Sequence, residues 1–451
     1  MSRLLLLLFA LSSLILHAQS TDTPIQEFMM TCKDGKKRPY VVYVPPSIKN
    51  QTNAPLLVYL HGAISRKDLV SDPLAYAQRS DIGRLANRSG AVLLFAFGQK
   101  GATWFDPVGA NMVLDEIDAV QKQFKTNPDK VFLSGFSDGA SGTLYFATTY
   151  GDRFAGFIAM NGHLRIATKL GATQVYPDNI NQKPVYIINT KNDELYPSDG
   201  IQPIIQFLQK TQSHITYSDI EGNHQMNYLP KEQAALSKFI DKHSRNTATT
   251  ISLETNKKQG NSFDWLTLEK LALDQIPAKW HKPQELQLFD NRASFGIQFD
   301  PQYDGLGLKV HQLKNDTVSA ANIGVRAGDV LLCIDGDTLT SLYDPYSYAA
   351  SKKAGDTTAL MVLRDGNALQ LKGTFNQGFY FPLFGYKTTS GKVLATYKNN
   401  KFLIKTSRVA AIKIDYSQLS IDYNRPIIVR INGKKYIGKP DAQQKEVITL
   451  F

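Results

Sequence analysis

The sequence predicts an α/β fold built on a mostly parallel sheet with helices on both faces, followed by further β-rich units. Three observations carry that prediction. Short apolar runs recur along the first half of the chain, at residues 56–60, 91–97, 131–133, 154–160, 184–189 and 215–220, and continuous apolar strands of this kind are buried on both faces. Amphipathic stretches such as residues 112–124 separate several of them, the alternation that builds parallel sheets. Beyond residue 246 the pattern changes to alternating strands punctuated by turn signals, among them Asn432-Gly433.

Taken in order, the chain opens with Met1-Ser2-Arg3, an apolar run over residues 4–16, and then His17-Ala18-Gln19. A positive start, an apolar middle and a small residue at a cleavage point make a secretory signal over residues 1–18. About 13 apolar residues are too few to cross a bilayer. No cysteine follows closely and no later run is long enough to span, so a soluble secreted or periplasmic protein is expected. Cys32 and Cys333, the two cysteines of the chain, fall in strand-like runs of different units and read as two buried thiols rather than a disulfide. Net charge is +11, and from residue 376 onward 13 Lys or Arg stand against 4 Asp or Glu, leaving +9 there. That region reads as solvated strand faces, with acidic polysaccharide or lipid headgroups as the alternative partners. There is no nucleic-acid motif.

Residues 28–32 and 38–44 form a hairpin around Asp34-Gly35. In a sheet of parallel strands ligands bind beyond the carboxyl ends, and four strand ends carry suitable residues: His61-Gly62-Ala63, Gly135-Phe136-Ser137-Asp138-Gly139, Thr190-Lys191-Asn192-Asp193-Glu194 and Glu221-Gly222-Asn223-His224. The second matches G-x-S-x-G, whose glycines permit a tight turn that lifts a serine hydroxyl above the sheet. A serine attacks poorly until a neutral imidazole takes its proton. Ser137 is therefore the candidate nucleophile, His224 its base and Asp193 the group that orients the ring. His163 competes with His224, and Glu194 and Asp199 compete with Asp193. Asp138, opening the next helix, and Ala63 are the candidate oxyanion donors. No cofactor or metal is required.

These residues resemble the secreted esterase branch of the α/β-hydrolases, the group with polyhydroxybutyrate-depolymerase-like and feruloyl-esterase-like enzymes and related predicted peptidases. The matching segments are Leu60-His61-Gly62-Ala63, the Ser137 motif, Asn192-Asp193-Glu194-Leu195-Tyr196-Pro197 and Gly222-Asn223-His224. The resemblance implies an α/β-hydrolase domain over residues 22–245. Ala140 stands where relatives often carry glycine, and Ala63-Ile64-Ser65-Arg66 lacks their glycine or cysteine.

Residues 246–285 read as a linker plus strands, including one carrying Trp265, that belong with the all-β region 376–451. Between them, residues 286–375 resemble a PDZ domain, most specifically at Ala327-Gly328-Asp329-Val330-Leu331. A PDZ domain holds an extended peptide on a sheet edge, its terminal carboxylate on backbone amides of a short loop. That loop would be Ser294, Phe295, Gly296 and Ile297, with Arg292 nearby. The alternative is a PDZ fold used only as a spacer.

The sequence thus points to an exported serine hydrolase acting on carboxylic esters, such as acylated polysaccharide or polyester, with a peptide C-terminus as PDZ ligand. A serine peptidase of the same fold and a non-catalytic envelope scaffold are the alternative readings.

Overall fold

The computed structural model describes residues 24–64, 70–180, 182–210, 214–257, 261–384, 388–441 and 446–450. The expected signal over residues 1–18, and Ser65-Arg66 beyond Ala63, lie outside the described residues. The first region is an eight-stranded sheet of β1 (Ile25–Thr31), β2 (Lys37–Tyr43), β3 (Leu56–Leu60), β4 (Val92–Ala96), β5 (Val131–Phe136), β6 (Gly156–Met160), β7 (Val185–Thr190) and β8 (Ile215–Ile220). Its spatial order is 1-2-4-3-5-6-7-8. The β1–β2 hairpin joins antiparallel at one edge, and every pairing from β4 through β8 is parallel.

Alternation along β3 explains why the sheet is covered twice. Leu56, Val58 and Leu60 enter a core with Val113 and Ile117 of the helix Pro107–Phe124. Leu57 and Tyr59 enter a second core with Leu85, Leu236 and Ile240. Each fully buried aliphatic side chain contributes about 1.5–3 kcal/mol relative to exposure, so two such cores hold the domain without a cross-link. The cysteines are free: Cys32 is buried, whereas Cys333 is only partly covered, contrary to the expectation of two buried thiols. A register shift between Leu331 and Cys333 breaks the inward alternation at that point.

Thr250–Thr255 pairs with Gly391–Lys398, and Leu266–Leu271 pairs with Val409–Asp415. Two sheets, one ordered Lys434–Gly438, Ile427–Ile431, Lys401–Ser407, Gly391–Lys398, Thr250–Thr255, the other containing Leu266–Leu271, enclose a core of Trp265, Leu268, Val393, Phe402, Ile412 and Val429. Trp265 itself is not on a strand. It follows Asp264, whose φ is +46°, in the turn between Asn261–Phe263 and Leu266–Leu271, and its indole N–H donates to the Ala248 carbonyl at 2.6 Å. An aromatic in a tight hairpin reads as strand because the alternation of residues 263–271 runs through the turn.

The PDZ-like region is a sheet ordered Ile297–Phe299, Leu308–Leu313, Val330–Ile334, Thr357–Arg364, Asn367–Thr374, with Phe295, Val310, Leu331, Leu360 and Phe375 in its core. The chain enters and leaves it through a two-stranded ribbon, Gln287–Asp290 against Phe379–Pro382, which the sequence reading did not anticipate. Leu288 and Leu383 from this ribbon and its exit belong to the first core of the hydrolase sheet.

Candidate active site

Ser137, with φ +58° and ψ −121°, stands between the end of β5 and the helix Asp138–Thr149. A side-chain-bearing residue in that conformation is strained, and the neighbouring glycines show what forces it. A β-carbon at Gly139 would lie 1.9 Å from the Leu60 carbonyl oxygen, one at Gly135 2.2 Å from the Gly139 oxygen, and one at Gly62 2.9 Å from the Ser137 Cβ. Only hydrogen atoms fit there, so helix, β3 and β5 converge on the serine. The Ser137 N–H donates to the Met160 carbonyl at 3.0 Å.

Opposite the hydroxyl, His224 Nε2 is 2.8 Å from Ser137 Oγ, and His224 Nδ1 is 2.8 Å from Asp193 Oδ2. An ionised carboxylate only accepts, so Nδ1 carries the proton and Nε2 faces the hydroxyl as acceptor. Asp193 Oδ2 also accepts from Asn161 Nδ2 at 2.7 Å, and Oδ1 accepts from the amides of Leu195 and Tyr196 at 2.8 and 2.7 Å. Burial alone would raise the Asp193 pKa, but the His224 ring, Asn161 and the Tyr196 amide outweigh it and hold the carboxyl below its usual range. The imidazole packs against the rings of Phe136 and Tyr196, with centroids at 5.0 and 5.7 Å. Ser137, His224 and Asp193, the three residues singled out in the sequence, are thus joined by hydrogen bonds, and the arrangement can move a proton from hydroxyl to imidazole while a carboxylate compensates the charge.

Asn161 was missed as a site residue. It stands directly after β6 with φ +53°, its amide also donates to Thr190 Oγ1 at 2.6 Å, and its carbonyl accepts from Tyr228 at 2.5 Å. Its place at a strand end, before Gly162, was the available signal. His163, the competing base, is turned away from this role: its Nδ1 accepts the Arg165 amide at 3.0 Å, and burial, aided by Arg292 and Arg165, pushes its pKa down to about 3. His61 is held in place by Gly62 O at 2.6 Å and the Gly98 amide at 3.1 Å.

Of the oxyanion candidates, Asp138 is the first residue of its helix, where amides lack intrahelical acceptors. Its carboxylate accepts the Ile64 amide at 3.1 Å, tying the strand-end turn that holds Ala63 to the start of the helix. In the PDZ-like region, Gly296 has φ +73° and Ile297 begins the edge strand, but the Phe295 side chain is buried in the core. Arg292, expected beside a peptide carboxylate, is committed elsewhere. Its guanidinium pairs with Asp290 at 2.9 Å and donates to the Leu195 carbonyl at 3.1 Å, because the ribbon directs it toward the hydrolase sheet. Among the described residues no group of three or more His, Cys, Asp or Glu could hold a metal ion, and no helix is long and apolar enough to cross a membrane.

Residues 48–244 match the phospholipase/carboxylesterase family, and residues 293–373 match the PDZ domain. The chain carries a phospholipase/carboxylesterase domain and a PDZ domain. Among curated proteins it is similar to a bifunctional acetylxylan esterase/xylanase of Neocallimastix patriciarum, 25% identical over 166 residues, which are 36% of this chain and 22% of that protein. The chain therefore spans about a fifth of that relative. Among solved structures it is similar to a thermostable esterase (16% identity, 49% of this chain and 64% of that one, TM-score 0.39). Others are an S-formylglutathione hydrolase of Staphylococcus aureus (20%, 48% and 97%, TM-score 0.37) and a ferulic acid esterase (16%, 48% and 96%, TM-score 0.40). The carboxylesterase domain contains the Ser137, Asp193 and His224 cluster, and the PDZ domain begins one residue after Arg292.

Proposed function

We propose that the carboxylesterase domain hydrolyses carboxylic esters through an acyl-enzyme on Ser137. The observation that carries this reading is the continuous hydrogen-bonded path from Ser137 Oγ through His224 to Asp193, set on a turn strained at the serine. His224 Nε2 takes the hydroxyl proton as Oγ attacks the ester carbonyl, and the amides of Asp138 and Ala63 receive the oxyanion. Collapse expels the alcohol, which leaves with the proton from His224. Water, deprotonated by the same imidazole, then attacks the acyl-enzyme and releases the acid.

The substrate reading is an acylated polysaccharide or polyester, in line with the acetylxylan esterase named among the relatives. The PDZ domain is assigned a peptide C-terminus, an occupant suited to Ile297–Phe299, which pairs on one side only. Residues 1–18 are assigned the role of an export signal, placing the mature protein in the periplasm or outside the cell, and N-terminal sequencing of exported protein checks this.

The deciding experiment is labelling with a fluorophosphonate, followed by a panel of acyl-sugar, polyester and peptide substrates. Wild type labels and Ser137→Ala does not, and Ser137→Ala lowers kcat on an activated ester by at least about 10⁴-fold. A wild-type protein that neither labels nor turns over any ester leaves the scaffold reading in its place.

A further inference from the structure

We propose that Arg292, on the chain leading into the PDZ domain, is a positioning residue for the candidate active site, acting through the Leu195–Tyr196 peptide that holds Asp193. This rests on the reading of Ser137, His224 and Asp193 as the catalytic group.

The argument is one of peptide geometry. Arg292 Nη1 donates to the Leu195 carbonyl oxygen at 3.1 Å. That oxygen shares a planar, trans peptide with the Tyr196 N–H, so fixing the oxygen fixes the direction of the N–H on the opposite side. The Tyr196 N–H donates to Asp193 Oδ1 at 2.7 Å. A cation on the carbonyl also draws electron density through the peptide and makes its N–H a better donor. The guanidinium does not float: Asp290 Oδ1 and Oδ2 accept from Nε and Nη2 at 2.9 and 3.0 Å, and Arg165 holds the same carboxylate at 2.5 Å. A planar fork clamped by a carboxylate has few other orientations.

The backbone side of the residue belongs to the PDZ domain. Arg292 bridges Lys353, and the next residue, Ala293, is already in the PDZ core. One residue therefore has its main chain in one domain and its side chain on the loop of the catalytic carboxylate in the other. The charged and titratable groups around the imidazole path include Asp193, Glu194, whose carboxylate accepts the His224 amide at 3.2 Å, Asp138, His163, Arg165, Tyr196, Tyr228, Asp290 and Arg292.

The test compares Arg292→Gln, Arg292→Lys and Arg326→Gln, the last removing an equal charge from the PDZ surface, in the full chain. With p-nitrophenyl acetate, Arg292→Gln is expected to lower kcat about 10-fold with KM within about 2-fold, because the Asp193 loop loses its orientation rather than its substrate contacts. Arg292→Lys keeps the charge but not the fork, so kcat recovers only in part. Arg326→Gln matches wild type. A downfield imidazole N–H resonance, identified by its loss in His224→Ala, reports the Asp193 bond without turnover, and it broadens or shifts in Arg292→Gln. If Arg292→Gln fails to fold, Asp290→Asn, which frees the guanidinium, is expected to act in the same direction. A folded Arg292→Gln with kcat within 2-fold of wild type and an unmoved resonance overturns the proposal. An inert wild type with a resonance that still responds to Arg292→Gln instead overturns the catalytic reading alone.

Discussion

The carboxylesterase domain meets its two neighbours through junctions of opposite character. Against the β-sandwich, Lys392 reaches across to Asp178 and also meets Glu254 on its own sheet, where His281 Nε2 lies 3.1 Å from Glu254 Oε1 and the Ser390 hydroxyl donates to the same oxygen at 2.7 Å. Glu254, His281, Ser390 and Lys392 are all buried, and Asn179 adds bonds to the Glu254 backbone. Against the PDZ domain, Arg165 meets Asp290, their side chains 24% and 11% exposed, and Arg292, 48% exposed, bonds Asp290 and the Leu195 carbonyl. Buried charges tolerate loss of a partner poorly, whereas partly exposed pairs are worth less. The first junction therefore depends more on its polar contacts than the second, which also rests on Leu288 and Leu383 in the hydrolase core.

The sharpest way to break this contrast is Lys392→Met, which takes the ammonium away from the buried Glu254 and the partly buried Asp178. It is expected to cost about 3–5 kcal/mol in denaturant unfolding, and a loss under about 1 kcal/mol would put the two junctions on one footing. Next comes acid titration on the PDZ side. The native pKa of His163 is depressed to about 3 by burial and then by Arg292 and Arg165, while an unfolded imidazole titrates near roughly 6.5. Between those values the unfolded chain binds the extra proton, so stability is full above the unfolded value and declines as pH falls toward 3, by at most about 1.4 kcal/mol per pH unit. His61, also depressed by burial, adds with the same sign. His163→Asn, which keeps an acceptor for the Arg165 amide, should flatten the slope measured by urea unfolding across that range. Arg165→Met comes third, at about 1 kcal/mol, because Arg292 still satisfies Asp290. At the far surface, Arg425→Ala, which frees an exposed Asp422 partner at 3.2 Å, should change stability by less than about 0.5 kcal/mol in the same assay.

What could be read from the sequence follows the distance over which each feature is determined. The α/β sheet was legible because each buried strand carries its own apolar signature, as in β3, where every residue is buried. The Ser137 turn is legible because two of the three glycines that its steric demands require, Gly135 and Gly139, lie within two residues of it. Asp193 and His224 could be nominated from their places after β7 and β8, yet the number of donors on Asp193 could not. Asn161 lies 32 positions from it, and an asparagine after a strand looks like any turn residue until the fold closes. Trp265 reads as strand because residues 263–271 alternate like one, and the two-residue turn between the short strands does not interrupt that alternation. The ribbon escaped because its strands, four residues each, are brought together only by closure of the PDZ domain between them. Arg292 was assigned to a peptide ligand on chain proximity alone, whereas the partner that claims its side chain lies 97 positions upstream.

The ribbon has a mechanical consequence. Two strands bonded across the pairs Gln287 to Pro382, Leu288 to Phe381, Phe289 to Tyr380 and Asp290 to Phe379 resist sliding, because a slip breaks the ladder and turns inward side chains outward. The foot of the strip is pinned where Leu288 and Leu383 enter the hydrolase core, so a domain mounted on it cannot travel along it.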